Sequence, residues 1–134
     1  MKEKQIQNFY AEKLKGVTEV PTQYGFIDIL TPKYIVEVKS LPKYKDAIGQ
    51  LFTYGLEYPD KQPLLICFSN TPVMGSTKQA VVDACNRLSI ELILHKISVS
   101  DVERYQVVPT KDALINSYQI AGVIGFKQLN KIFN

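Results

Sequence analysis

The sequence predicts an α/β domain with helices packed on a mixed sheet, and three observations predict it. Apolar runs of strand length recur at Phe26 to Leu30, Tyr34 to Lys39, Pro63 to Phe68 and Ile90 to His95. Stretches with apolar residues at helical spacing alternate with them, around Ile6 to Leu14, Tyr44 to Tyr54 and Thr77 to Leu88. The 134 residues suffice for one core and are too few for two ordinary domains. The expected order is α-β-β-β-α-β-α-β.

Each element has its local reason. Ile6, Phe9, Tyr10 and Leu14 give the first helix, from about Lys4 to Lys15, and Gly16 is its expected stop. Val17 to Thr22 reads as a strand, Gln23-Tyr24-Gly25 as a turn, and Phe26 to Leu30 as the second strand. Thr31-Pro32-Lys33 turns the chain, because proline cannot donate to a ladder, so strands two and three form a hairpin. Ser40-Leu41-Pro42 ends the third strand, and the next helix shows Tyr44, Ala47, Ile48, Leu51 and Phe52 to the sheet, with Gly55 near its end. A turn-rich loop from Ser69 to Ser76 precedes the third helix. Val102 to Val108 reads as an edge strand. The apolar tail 110–133 reads as a C-terminal helical extension, broken near Gly122 or Gly125, beside a core of about 1–98. Its many apolar residues suggest packing on the core or on another subunit.

Composition narrows the chemistry. No apolar run approaches the roughly 20 residues of a membrane span, and the charged N-terminus is unlike a secretory leader. An intracellular protein, cytoplasmic or in the nucleus or nucleoid, is expected. Cys67 and Cys85 read as reduced core residues. A single histidine, His95, leaves little for a zinc site or a Ser-His-Asp triad. A metal here would need carboxylates, which favours magnesium or manganese. The net charge of +3 is compatible with a polyanionic partner.

One constellation stands out. Asp28 sits in an apolar strand, Glu37 and Lys39 in the next, and Gln50 and Tyr54 follow at i, i+4 on a helix. Strand alternation puts Ile35, Glu37 and Lys39 on one face, with Glu37 and Lys39 about 7 Å apart. Charges in strands of this kind are costly unless paired or holding a metal. With Asp28 alongside, two carboxylates, a main-chain carbonyl such as that of Val38, and waters would suit magnesium. The lysine could then stabilise charge on a phosphate.

These residues resemble the PD-(D/E)xK nuclease superfamily, in the branch that adds Gln-x-x-x-Tyr, as in RecB-type nucleases. The similar stretch runs from about Gly16 to Tyr54, with Ile27 where the motif has proline; Pro59-Asp60 lies downstream of Glu-x-Lys and is a decoy. The resemblance implies a restriction-endonuclease-like αβββαβ core, with Asp28 and Glu37 as metal ligands and Lys39 as catalytic lysine. Gln50 and Tyr54 would support the site. The family often adds an acid on the first helix. At roughly 100° per residue Glu3 shares the side of Ile6, Tyr10 and Leu14 while Glu12 lies opposite, and Holliday-junction resolvases place a glutamate similarly, which favours Glu3 over Glu12 or Glu19. Lys33, Lys43, Tyr44 and Lys45 flank the constellation and could contact nucleic acid. The expected function is a magnesium-dependent DNA endonuclease, junction-resolving or site-specific, with RNA as the other candidate substrate. A homodimer is the expected state, since cutting two strands or resolving a junction would need at least two copies. The alternative is a catalytically degenerate nuclease fold serving as a nucleic-acid-binding or assembly module.

Overall fold

The computed structural model describes residues 3–69, 76–97, 101–109 and 116–125. Helix α1 (Glu3–Leu14) leads into β1 (Val17–Thr22), β2 (Gly25–Leu30) and β3 (Tyr34–Ser40). Helix α2 (Tyr44–Tyr54), β4 (Gln62–Ser69), α3 (Ser76–Arg87) and β5 (Glu91–Lys96) follow, then β6 (Asp101–Pro109) and β7 (Asn116–Gly125). The seven strands form one sheet in sequence order. Strand β3 runs parallel to β4 and β4 to β5, and the other neighbours are antiparallel, so the sheet is mixed.

Two cores lie on opposite faces of the sheet. On one, Ile6, Tyr10 and Ala11 of α1 pack on Ile29, Tyr34, Val36, Val38, Leu64 and Ile66. On the other, Ala47, Leu51 and Tyr54 of α2 and Val81 and Cys85 of α3 cover Ile27, Ile35, Leu65, Cys67, Leu92 and Leu94. Residues of β3 therefore alternate as their spacing requires, Ile35 toward α2 and Val36 toward α1. Both cysteines are buried free thiols. Burial pushes their pKa upward, that of Cys85 to about 12.

The end of α1 is built differently from the sequence expectation. Lys15, not Gly16, takes the left-handed conformation (φ 55°), and the Gly16 N–H donates to the Ala11 carbonyl at 2.8 Å. Gly16 is needed for space: a Cβ there would lie 2.5 Å from Ile29 Cγ2. Helix α3 ends in the same way, with Ser89 at φ 56° and the Ile90 N–H on the Cys85 carbonyl at 2.9 Å.

The expected C-terminal helical extension is corrected. Residues 116–125 form strand β7, paired along β6, so β6 is an inner strand rather than an edge. The segment carries the β-branched Ile120, Val123 and Ile124 and one aromatic, Tyr118, together with Gly122 and Gly125. Each glycine costs a helix interior about 1 kcal/mol, and the segment has a ladder waiting on β6. This part of the apolar tail finds its partner within the sheet; 110–115 and 126–133 lie outside the described residues.

Candidate functional site

The site lies where the β2–β3 ladder opens. Ile29 pairs with Val36 and Leu30 with Ile35, and the pairing stops before Asp28 and Glu37. The β1–β2 ladder passes over the same place, pairing Thr18 with Ile29 and Val20 with Ile27 but not Glu19 with Asp28. Glu19 has φ 54°, and Ile27 and Ile29, two residues apart, enter opposite cores. The strands are thus twisted apart at Asp28, which leaves main-chain groups without ladder partners.

Side chains take over these groups. The Val38 N–H donates to Asp28 Oδ2 at 2.8 Å and the Asp28 N–H to Glu37 Oε1 at 3.3 Å. Gln7 Nε2 of α1 donates to the Asp28 carbonyl at 3.1 Å and to Glu19 Oε1 at 3.0 Å. Lys4 completes the chain with an exposed ion pair to Glu19 at 2.9 Å.

Glu37 is 2% exposed. Burial, then the charge of Asp28, pushes its pKa up to about 9, and Lys39 opposes this only in part. At neutral pH Glu37 therefore keeps its proton. Tyr54 of α2 is buried over the pair. Its hydroxyl is pushed upward by burial, then by Glu37 and Asp28, while a hydrogen bond from Gln50 pulls the other way. Gln50 Oε1 is itself buried without a partner. So Asp28, Glu37, Lys39, Gln50 and Tyr54 converge, as their spacing suggested.

The remaining predicted residues divide. Lys43 and Lys45 are exposed at the start of α2, Lys45 over the Tyr44 ring at 6.0 Å, close in sequence to Lys39. Lys33 sits at the other end of β3, over the Tyr34 ring at 5.0 Å, roughly 20 Å from Lys39 by strand rise. Glu3 and Glu12 are exposed, and the helix side chain that reaches Asp28 is Gln7. Val38 contributes its N–H to Asp28. Sequence reasoning missed Gln7 because an amide among apolar neighbours carries no charge signal. It also missed Lys78 and Lys96, which flank the nearly buried Glu103 at 2.9 and 3.5 Å. Lys96 lies at the carboxyl end of β5, two strands from β3, on the same sheet face as Lys39.

Comparisons with known proteins give three relatives, all from Acanthamoeba polyphaga mimivirus and all named KilA-N domain-containing proteins. One is 46% identical over 91 residues, 68% of this chain and 36% of the relative. Another is 48% identical over 68 residues, 51% of this chain and 19% of the relative. A third is 42% identical over 67 residues, 50% and 18% respectively. The chain thus spans about a third or less of the curated relatives it matches. No family model matches the chain, and no solved structure matches it.

These findings correct the expected identity. The relatives are named for a domain family other than the PD-(D/E)xK nucleases, so the assignment to that superfamily, the endonuclease activity and the enzymatic role give way. The motif misleads for a physical reason. Asp28 and Glu37 are accounted for by the opening in the sheet, whose main-chain groups they bind. Among the described residues no three His, Cys, Asp or Glu side chains group together.

Proposed function

We propose that this chain is a DNA-binding module whose contact surface is the carboxyl edge of strands β3 to β5 and the start of α2. The observation that carries the reading is Lys39 at the carboxyl end of β3, beside a Glu37 that burial keeps protonated, with the exposed Lys43 and Lys45 following at the start of α2. Lysines attract phosphates, and a fully ionised pair among them would repel the same phosphates. Lys96 and Lys78 extend the row, roughly 12 Å farther across the sheet by strand spacing. Glu103 cancels one of their two charges. Open α/β sheets favour ligands at this edge, outside the carboxyl ends of parallel strands. The mimivirus relatives support the reading, since the KilA-N domain they are named for is a DNA-binding domain.

A divalent cation belongs to the same proposal. Asp28 and Glu37 each keep one carboxylate oxygen beyond those in the two main-chain hydrogen bonds. Magnesium or manganese is commonly held by one or two carboxylates plus phosphate and water. Asp28 and Glu37, the latter giving up its proton, would hold such an ion, and its positive charge would help to attract a phosphate. No helix among the described residues is long and apolar enough to cross a membrane.

Fluorescence anisotropy with labelled DNA in EDTA and in magnesium tests it. Binding at low salt is expected, tighter with magnesium, with the magnesium gain lost in Asp28→Asn and the DNA recovered full-length. Absence of binding in both conditions, or cleavage of the DNA, would contradict the binding-module reading.

A further inference from the structure

The turn between β1 and β2 is built to hold one aromatic ring in the open. Thr22 Oγ1 donates to the Gly25 carbonyl at 2.8 Å and accepts the Tyr24 N–H at 3.0 Å. The Gln23 N–H reaches Glu57 Oε2 at 3.3 Å, tying the turn to the segment after α2. Gly25 has φ 142°, and a Cβ there would meet the Tyr54 hydroxyl at 2.7 Å, so the turn rests directly on Tyr54. Tyr24 is nevertheless 46% exposed.

An open cleft separates this ring from α2, walled by Lys45, Asp46, Gly49, Gln50, Thr53 and Tyr54. Gly49 is the odd residue in that wall. It lies inside a helix, where glycine is less favourable than alanine, yet a Cβ there would touch nothing within 4 Å. The chain itself therefore gives no packing reason for glycine. A ligand lying flat against the helix does, because it needs the room a side chain would fill.

We propose that this cleft takes an unpaired nucleobase, stacked on Tyr24 against the Gly49 face of α2, so that the module prefers single-stranded or frayed DNA to continuous duplex. The inference rests on the DNA-binding reading and names its substrate class. A base in duplex already has both faces stacked, and exposing one requires unstacking; an unpaired base offers its face freely. The lining matches a base better than an apolar peptide side chain. A planar ring with polar edges meets a tyrosine, the Gln50 amide, the Lys45 ammonium and the Asp46 carboxylate, which can accept from a base N–H. It also meets the Thr53 hydroxyl, which donates to the Gly49 carbonyl and keeps its acceptor side. Apolar lining lies instead in a neighbouring groove formed by Phe52, Leu56, Tyr58, Pro59 and Pro63. The fixed turn presents the ring already ordered, which lowers the entropy lost on binding.

The test measures affinity for a labelled homothymidine strand and for a labelled duplex of equal length. Wild type is expected to favour the single strand. Tyr24→Ala should lower the ratio of single-strand to duplex affinity about tenfold, in line with loss of one stacked base, and Tyr24→Phe should retain it. Gly49→Ala should raise the melting temperature while lowering that ratio, an outcome that misfolding cannot produce. Phe52→Ala, in the apolar groove, should change neither. Equal ratios in wild type, Tyr24→Ala and Gly49→Ala, with DNA binding intact, would overturn the base-stacking proposal alone and leave Tyr24 to a protein partner. Absence of binding to either DNA by wild type would overturn the DNA-binding reading together with it.

Discussion

Glu37 and His95 show how burial sets charge in this molecule, in opposite senses. Glu37 holds its proton up to about pH 9 against 4.5 when unfolded. The folded state thus binds more protons in that window, and stability falls as pH rises through it. Glu37→Gln has no proton to lose, so its stability relative to wild type should increase steadily from pH 5 to pH 9 in urea unfolding; a constant difference would contradict the protonated pair. His95 is 2% exposed, its Nδ1 is 2.7 Å from the Tyr10 hydroxyl, and burial lowers its pKa from 6.5 to about 4. Here the unfolded chain takes the proton first, so stability present above pH 6.5 is lost as pH falls toward 4. The loss amounts to about 3 kcal/mol at most. Measuring it in the Glu37→Gln background removes the opposing trend of the carboxyl pair.

Helices and turns carry the next scale of prediction. Lys15 occupies a left-handed position that costs a residue with a Cβ roughly 1 kcal/mol, so Lys15→Gly should leave α1 intact and stabilise the protein by a few tenths of a kcal/mol to about 1 kcal/mol. Thermal unfolding checks this. Gly25→Ala does the reverse, combining a φ of 142° with a clash on the Tyr54 hydroxyl; a loss of about 1–3 kcal/mol is expected. Most elements were legible in the sequence because their signals are local. The period of Ile6, Tyr10 and Leu14 gave α1, and Pro32 and Pro42 marked the ends of β3. The tail was misread because its apolar content suits a helix as well as a strand, and β6, the partner that decides, is a matter of tertiary structure. Left-handed Lys15 was invisible for the same reason, since the crowding at Gly16 comes from Ile29 across the sheet.

For the whole molecule, alternation and helical spacing correctly brought Asp28, Glu37, Lys39, Gln50 and Tyr54 together, yet proximity did not decide what they do. The same short pattern that resembles a nuclease also repairs a break in the sheet, through the Val38 and Asp28 main-chain bonds. Lys33 was assigned to the site from nearness in sequence, whereas the direction of β3 carries it to the far end. Lys96 entered the surface only through the parallel order of β3, β4 and β5, and Lys78 of α3 through its ion pair with Glu103. In the proposed reading, DNA binding at this edge runs through its lysines. A salt titration of DNA affinity, wild type against a Lys39→Gln, Lys43→Gln, Lys45→Gln triple variant, measures their part. Log affinity should fall linearly with log salt for wild type, with a slope shallower by about 2–3 in the variant, near 0.9 per lost phosphate contact on duplex and 0.7 on single strands. Equal slopes and equal affinities in the two proteins would contradict that reading.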